Sequence, residues 1–424
     1  MNLSGKRLLI LGGNPETGVL VRAANAMGVI TIVVDPNRDA PAKQDAARRY
    51  DVDGFDIEGI VAVARREQVD GVLVGVADIL VASYQKVCEA LGMPCYATPE
   101  AAAAFTVKDG FRDALERYGI PGTPSFTLDA AMRDADVAQL RYPLMLKPVD
   151  NGAGVGMVVC HNRSELERAV KIALQHSMRG AFLAERFMDC DDTLAYYTIK
   201  DGEILLSAMA DRITTRAQEG TSLVCLAARY PSRHLAAYRA TMHEPICDMI
   251  RALGVRNGVL NIQFWVEDGA FFAYDPGFRL QGEAPHIYLK HFNVFDHREM
   301  LAEFALTGSM GAFDLASRND PTFGGRQACT LWFLLKAGTI ATIEGMDAVR
   351  ADPSVTFVMQ RFHAGETVTP AMVGTERQVL ARVYVVADTE AELVTAIHRV
   401  NATLQVTDTI GADMMVDRYL PSLG

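Results

Sequence analysis

Short apolar runs alternate with longer amphipathic stretches over residues 6–98. The runs RLLIL, ITIVV and GVLVG predict strands, and the stretches 15–27, EGIVAVARREQ and 77–91 predict helices. Strands that alternate with helices favour a doubly wound parallel sheet with helices on both faces. The pattern therefore predicts an α/β domain at residues 1–105.

Beyond a connector rich in proline and glycine, the pattern becomes α+β. It predicts a connecting helix at 107–118, a compact unit that begins at 143 and ends near 206, and a long helix at 234–253 that leads into the hairpin NIQFWVEDGAFFAYDP. The strand RVYVVAD and the helix TEAELVTAIHRVNATL follow near the end of the chain. We accordingly expect a central domain at 106–318, with a lid at about 125–206, and a small α+β domain at 319–424.

The hairpin holds a candidate metal site. We expect a three-residue turn at 267–269, because glycine suits its left-handed last position. Asn261 would then lie opposite Asp275, with Gln263 as diagonal neighbour on the same face. Oxygen ligands on adjacent strands suit Mg²⁺. The other face would carry the core residues Ile262, Phe264, Phe272 and Tyr274.

Composition narrows the class of protein. The chain has 424 residues, half of them apolar, and a net charge of −11, which argues against a nucleic-acid-binding surface. Its seven cysteines form no CxxC pair, and no apolar run reaches the length of a membrane span. We expect a cytoplasmic protein that binds neither nucleic acid nor membrane.

The first glycine turn, LLILGGNPETG, raises the possibility of dinucleotide binding. Gly12, Gly13 and Gly18 miss the GxGxxG spacing, and Pro15 lies inside the turn. An ordinary strand-to-helix turn explains the stretch better than an NAD site does.

The stretch PLMLKPVDNGAGVGM is more informative. Lys147 ends an apolar strand, and a loop with Gly152, Gly154 and Gly156 follows. Glycines let backbone N–H groups approach phosphate oxygens, and the lysine adds a point charge. It is not a Walker loop, and an ordinary hairpin with glycines at its turn is the alternative.

A second acidic stretch, FLAERFMDCDD, follows the loop. Glu185 ends an apolar strand, and Asp191 and Asp192 lie just beyond it. Such carboxylates can hydrogen-bond an adenine and a ribose, although an acidic loop facing water would look the same.

These pieces, in this order, resemble the ATP-grasp superfamily. The resemblance implies a doubly wound first domain, a lid and a larger α+β subdomain, with ATP between the last two. The first and last domains are similar to those of the biotin carboxylase and purine-carboxylase branches. The stretches MADRITTR and EFALTG, with the hairpin, look like an uncharacterised subgroup often linked with surface-polysaccharide genes.

The resemblance also assigns residues to ATP and Mg²⁺. Lys108 and Lys147 match phosphate-binding lysines, and the loop with Gly152, Gly154 and Gly156 matches the mobile glycine loop. The adenine hinge corresponds to Glu185, Arg186 and Met188, the ribose position to Asp192, the metal ligands to Gln263 and Asp275, and the catalytic arginine to Arg279. Lys147 and Arg279 would act in catalysis, and Arg279 and Arg212 would bind a substrate carboxylate.

One departure concerns the metal site. The usual signature E-x-N-x-R reads Asp275-Pro-Gly277-Phe-Arg279 here, so the asparagine ligand is lost, and Gln263 replaces an acid. Fewer charges should weaken Mg²⁺ binding.

The resemblance implies a ligase that activates a carboxylate with ATP as an acyl phosphate and couples it to an amine. The substrates would be small molecules, and a homodimer is an open option for the assembly. The alternatives are a bicarbonate-using carboxylase, suggested by Gln281 and Glu283 after Arg279, and an ATP-binding protein with weakened catalysis.

Overall fold

A computed structural model describes residues 3–126, 128, 132, 137–149, 156–215 and 224–422. Hydrogen bonding joins the strands into four sheets. The strands are β1 (Arg7–Leu11), β2 (Ile30–Val34), β3 (Arg48–Tyr50), β4 (Gly71–Val74), β5 (Ser125–Phe126), β6 (Leu144–Pro148), β7 (Val158–Cys160), β8 (Phe182–Arg186), β9 (Asp191–Lys200), β10 (Glu203–Thr214), β11 (Cys225–Tyr230), β12 (Gly258–Glu267), β13 (Ala270–Gly277), β14 (Gln327–Leu334), β15 (Gly338–Glu344), β16 (Val355–Gln360), β17 (Thr367–Val368), β18 (Val379–Ala387) and β19 (Gln405–Asp408).

The α-helices lie mostly between strands in the chain, as in other α/β proteins. They are α1 (Pro15–Ala26), α2 (Pro41–Asp45), α3 (Ile57–Glu67), α4 (Val81–Leu91), α5 (Pro99–Thr106), α6 (Lys108–Arg117), α7 (Arg163–Gln175), α8 (Leu235–Thr241), α9 (His243–Ala252), α10 (His286–Tyr288), α11 (His297–Thr307), α12 (Met346–Ala351) and α13 (Glu390–Thr403). None of those in the described part of the chain is long and apolar enough to cross a bilayer.

The N-terminal sheet is parallel, with strand order β3-β2-β1-β4. Strands β1, β2 and β4 are almost continuously apolar and buried, as expected where helices cover both faces, whereas the edge strand β3 is polar and mostly exposed. The glycine turn after β1 leads directly into α1, whose N-cap Asn14 accepts a hydrogen bond from the Thr17 N–H. The predicted α/β character of this region is confirmed.

A second sheet, with order β5-β8-β6-β7, is antiparallel throughout. Helix α7 packs on it, and the apolar residues between them form a separate small core. This sheet occupies the first part of the region that the sequence assigned to the lid.

The largest sheet has eight strands in the order β13-β12-β9-β10-β11-β14-β18-β16. It combines strands from the expected central domain with strands from the expected C-terminal domain. Main-chain hydrogen bonds therefore join the two sides of the expected boundary at residue 318. A short sheet, β17-β15-β19, lies beside it. The expected single helix at 234–253 is divided into α8 and α9, which meet at Met242.

Candidate active site

The hairpin β12–β13 carries the first group of candidate residues on one face. Gln263 lies directly opposite Asp275, and Asn261 lies opposite Gly277. Opposed residues of an antiparallel pair project to the same side of the sheet. These four positions therefore share a face.

The same face continues across the sheet toward its other edge. Asp192 of β9 pairs with Arg212 of β10, and Trp332 of β14 pairs with Arg382 of β18. Trp265 links the hairpin to this part of the sheet, because it pairs with Asp192 of β9 and lies two residues after Gln263 on the same face of β12. We call this surface the site face.

The hairpin turn differs from the sequence prediction. The strands pair up to a two-residue turn, Asp268-Gly269, whose residues have φ of 50° and 79°. Two-residue turns with left-handed φ match the twist of paired strands. The predicted three-residue turn is therefore wrong, and so is the predicted pairing of Asn261 with Asp275.

A β-bulge nevertheless keeps the two predicted metal ligands on one face. The register shifts by one residue after Gln263, which leaves Tyr274 as the extra residue of β13. Tyr274 stacks on Trp265 with ring centroids 4.4 Å apart, so it belongs to the site face. The bulge corrects for the short turn and brings Gln263 opposite Asp275.

The shorter turn also changes which residues of β13 lie in the core. Phe271 and Ala273 are buried, whereas Phe272 and Tyr274, which the sequence analysis assigned to the core, are only partly buried. Ile262 and Phe264 are buried as expected. A turn one residue shorter than predicted moves Phe271 and Ala273 to the core face, and the bulge at Tyr274 restores the predicted face from Asp275 onward. The alternating pattern alone does not reveal either change.

The phosphate-binding candidates Lys108 and Lys147 meet at one end of β6. Lys147 is buried, and its Nζ lies 2.5 Å from Glu185 Oε2 on the neighbouring strand β8. Lys108 begins α6, and its Nζ donates to the Pro148 carbonyl at 3.1 Å. Two cations and one carboxylate thus meet beside the predicted glycine loop.

Of that loop, Gly152 and Gly154 lie outside the described residues. Gly156 has φ of +76°, and a Cβ there would lie 2.5 Å from His176 Cβ. Both the backbone conformation and the space therefore require glycine at this position.

The predicted adenine hinge contains Arg186 and Met188. The Arg186 N–H donates to the Pro124 carbonyl at 2.8 Å, and its guanidinium pairs with both oxygens of Glu267 at 2.9 and 2.6 Å. Met188 is buried. The bidentate pair fixes the small sheet to the hairpin of the large one.

Arg212 lies at the centre of a polar network on the site face. Its Nη1 donates to Asp192 Oδ2, Gln263 Oε1 and the Tyr274 hydroxyl, each at 2.9 Å. The Tyr274 hydroxyl donates in turn to Asp192 Oδ1 at 2.9 Å. Burial raises the pKa of Asp192 to about 6, although Arg212 and Tyr274 lower it in part.

Asp275 lies among cations without being fully compensated by them. Burial raises its pKa, and Asp78 raises it further, while Lys108, Lys147 and Arg279 lower it. The Asp275 side chain is partly buried. A carboxylate whose ionised form is still disfavoured can accept an additional cation.

Arg279 joins the large sheet to the N-terminal domain. Its Nη2 donates to Asp78 Oδ2 at 2.6 Å, and its Nη1 donates to the Leu280 carbonyl at 3.1 Å. The sequence analysis missed Asp78. Its position just after β4 was an available signal, because ligand sites form at the carboxyl ends of parallel strands.

A second charged cluster, also missed, lies at the far end of the site face. Arg361 and Arg382 both pair with Glu16 Oε1, and Arg382 Nη2 donates to Glu376 Oε2 at 2.8 Å. The Arg382 guanidinium lies 5.4 Å from the ring centre of Trp332. Burial disfavours the Glu16 carboxylate, yet the two arginines hold its pKa below the ordinary value.

This cluster had a partial signal in the sequence. Glu16 lies inside the glycine turn GGNPETG, where a charged residue next to a turn was the available signal and the spacing of the glycines was the feature that the sequence analysis used. Its partners are about 350 residues away in the chain, so only the tertiary fold brings them together.

Comparisons with known proteins agree with this architecture. Residues 108–285 match the family described as carbamoyl-phosphate synthase L chain, ATP binding domain, and residues 331–408 match L-amino acid ligase C-terminal domain 2. The carbamoyl phosphate synthase large chain of Vibrio cholerae is 25% identical over 297 residues. That alignment covers 66% of this chain and only 27% of the relative, so the chain spans about a quarter of that protein.

Solved structures extend the likeness to nearly the whole chain. L-amino acid ligase from Bacillus licheniformis has a TM-score of 0.78 at 19% identity, covering 96% of this chain and 99% of that one. The biotin carboxylase domain of Hydrogenobacter thermophilus 2-oxoglutarate carboxylase, solved as a dimer with MgADP and bicarbonate, has a TM-score of 0.75 at 16% identity, covering 96% and 91%. The chain has the ATP-grasp fold.

Proposed function

We propose that the protein is an ATP-dependent ligase that activates a small carboxylate as an acyl phosphate and couples it to an amine. The observation that best supports this proposal is the arrangement of charged side chains at the hairpin end of the site face. There a partly buried, incompletely compensated carboxylate, Asp275, lies in the field of Lys108, Lys147 and Arg279. A triphosphate with a divalent cation is the ligand whose charges complete this arrangement.

The roles follow from position. Lys108 and Lys147 would hold phosphate oxygens, with Lys147 oriented by Glu185. Asp192 would accept hydrogen bonds from a ribose. Arg279, fixed by Asp78, would stabilise charge on the transferring phosphoryl group and the acyl phosphate. Binding and electrostatics would do this work without a side-chain nucleophile.

Mg²⁺ fits the donor chemistry of this end. When bound, it would neutralise charge on the phosphate oxygens. Asp275 supplies a carboxylate, and Gln263 and Asn261 supply amide oxygens on the same face. Within the described ranges, no three His, Cys, Asp or Glu side chains form a group that could hold a metal ion, so such a mixed set is the available one.

In the reaction, the γ-phosphoryl group would pass to the substrate carboxylate and leave ADP. The amine would then attack the acyl carbon, forming the amide and releasing phosphate. L-amino acid ligase from Bacillus licheniformis, which shares the fold along its whole length, supports this choice of reaction class. Homodimer formation stays a proposal.

A bicarbonate-using carboxylase is the second candidate. Gln281 is almost fully buried after Arg279, and neither atom of its amide has a hydrogen-bond partner in the described part of the protein. An unpartnered amide beside an arginine could bind a small oxyanion. The structural likeness to a biotin carboxylase domain crystallised with bicarbonate supports this alternative.

One set of assays separates the candidates. Calorimetry with Mg·ATP and with NAD⁺ should show binding of ATP only; tight NAD⁺ binding without ATP binding would end the ligase proposal. The protein is then incubated with Mg·ATP and pools of carboxylates and amines, and ADP and products are measured by mass spectrometry. ADP release that needs both an acid and an amine supports the ligase. Release that needs bicarbonate supports the carboxylase, and binding without any release supports a protein with weakened catalysis.

A further inference from the structure

Asn261 and Gly277 are opposed residues whose sizes are matched to each other. A Cβ at position 277 would lie 2.5 Å from Asn261 Oδ1 and 3.2 Å from its Cγ. Gly277 does not have a positive φ, so the backbone does not require glycine there. The requirement is space, because the Asn261 amide fills the volume into which a side chain at 277 would project.

The Asn261 oxygen has no partner that accounts for its burial. The residue is 4% exposed, and its Oδ1 accepts no hydrogen bond from the described part of the protein. Buried side-chain oxygens are nearly always satisfied, and an exception needs an explanation such as a bound ion. Asn261 is the diagonal neighbour of Asp275 on the same face, a separation of about 7 Å between Cα atoms that side chains can bridge through an ion.

Gln263, in contrast, is already engaged. Its Oε1 accepts from Arg212 Nη1 at 2.9 Å, and the same nitrogen contacts Asp192. A guanidinium therefore occupies the region between Gln263 and Asp192, where a second divalent cation would meet like charge. Of the two amide oxygens beside Asp275, the one on Asn261 has no such donor.

We propose that the chain holds a single Mg²⁺ between the Asp275 carboxylate and the Asn261 amide oxygen, with the Arg212 guanidinium, held by Gln263, as a fixed positive charge beside it. This proposal rests on the proposed nucleotide-dependent function, because nucleotide phosphates supply the remaining ligands. The small residue at 277 exists to admit the amide from the opposite strand.

The test measures metal binding rather than turnover. Mn²⁺ replaces Mg²⁺, and bound Mn²⁺ is counted by the loss of the free-ion electron paramagnetic resonance signal in the presence of ADP. The wild type should bind one Mn²⁺ per chain. Asn261→Ala should weaken binding roughly tenfold or more, as losses around metal sites generally do. Asn293→Ala, which removes an equally buried amide elsewhere, should leave binding unchanged.

Two further variants test the opposed pair itself. Gly277→Ala keeps Asn261 but places a methyl group in its volume, so it should also weaken Mn²⁺ binding. The exchange Asn261→Gly with Gly277→Asn returns the amide from the other strand and should restore binding to within about threefold of the wild type. Circular dichroism and melting curves show that each variant is folded, and the Gly277→Ala result stands if Asn261→Ala does not fold.

The outcomes separate this proposal from the proposed function. Unchanged Mn²⁺ affinity in folded Asn261→Ala, or two Mn²⁺ per wild-type chain, overturns the single Asp275–Asn261 site and leaves the ligase proposal standing. ADP that does not bind to the wild type at all, with or without Mn²⁺, overturns both.

Discussion

The carboxylates at the two ends of the site face differ in how the surrounding cations compensate them. Glu16 lies at the end of the site face that β14 and β18 form. It is buried but paired with two guanidinium groups, and its pKa lies below the ordinary value. Asp275, at the hairpin end, is also shielded from water, but the cations near it leave its pKa raised. More cations lie near Asp275 than near Glu16, so their number does not explain the difference. The arginines contact Glu16 directly, whereas the like charge of Asp78 opposes the cations near Asp275.

This difference in charge compensation distinguishes a cluster with a structural role from a cluster that we propose binds a ligand. Glu16 joins the first turn of α1 to Arg361 and Arg382 of the C-terminal region, and these two arginines already neutralise its charge. For Asp275, in contrast, we propose that an added cation completes the compensation of its charge. A satisfied cluster holds parts of the protein together, and an unsatisfied one is a place for a ligand.

The most severe way to test the hairpin end is Asp275→Asn. It removes the carboxylate while keeping its shape, so we expect Mg²⁺-dependent turnover to be abolished. Because burial disfavours the ionised form, stability should change little. Turnover and the melting temperature are measured side by side, with Asp268→Asn in the exposed turn of the same hairpin as control. Full turnover in Asp275→Asn would remove this residue from the site.

The opposite pattern is expected for Glu16→Gln. Removing one partner of a buried ion pair leaves the other charge uncompensated, which typically costs about 3 kcal/mol or more. Arg361 and Arg382 would both lose their shared partner, so the urea midpoint should fall. Glu58→Gln, in the exposed first turn of α3, is the matched control. A Glu16→Gln protein as stable as the wild type would show that this cluster does not hold the domains together.

Lys147→Ala tests whether the cations of the hairpin end serve the nucleotide. Losing a charge-assisted contact to phosphate typically costs about 1.5–3 kcal/mol, or roughly ten- to a hundredfold in affinity. We expect that loss in ATP affinity by calorimetry, with the fold intact. Lys171→Ala, an exposed lysine on α7, should bind ATP like the wild type. Equal affinity in both variants would place the phosphates elsewhere.

How far the sequence predicts these two ends follows from the range of the interactions. Lys147 and the glycine loop lie within a few residues of each other, and local strand signals are enough to associate them. Gln263 and Asp275 were expected on one face as diagonal neighbours across a three-residue turn. In the structure a two-residue turn and a bulge at Tyr274 place them opposite each other, and Tyr274 contacts Trp265 and Arg212, which lie far from it in the chain or across the hairpin. Nothing in the alternating pattern of β13 specifies that extra residue.

The cluster around Glu16 was beyond sequence reasoning for a different reason. Its members lie in the first and last parts of the chain, and each alone has the appearance of an ordinary surface charge. Only the fold brings them together, because Arg382 lies on β18 and Arg361 directly follows the neighbouring edge strand β16 of the eight-stranded sheet. Arg279 was found by its motif, but its partner Asp78 was not, because ion pairs between domains leave no spacing signal.

The smallest expected effect is a difference in how stability depends on pH. The pKa of Asp192 is raised by burial to about 6 from an ordinary value near 3.8. Between these values the folded state keeps the proton that the unfolded state releases, so stability falls as pH rises and levels off above about 6. Glu16 has a lowered pKa, so its contribution to stability is present above pH 4.5 and is lost only as pH falls further.

From pH 5 to pH 7 the wild type without nucleotide should therefore lose about 1 kcal/mol more stability than Asp192→Asn does. Glu16→Gln should follow the wild-type slope in this window and depart from it only below pH 4.5. Parallel urea curves at each pH measure the slopes, and an identical slope for Asp192→Asn and the wild type would mean that Arg212 compensates Asp192 as fully as Arg361 and Arg382 compensate Glu16.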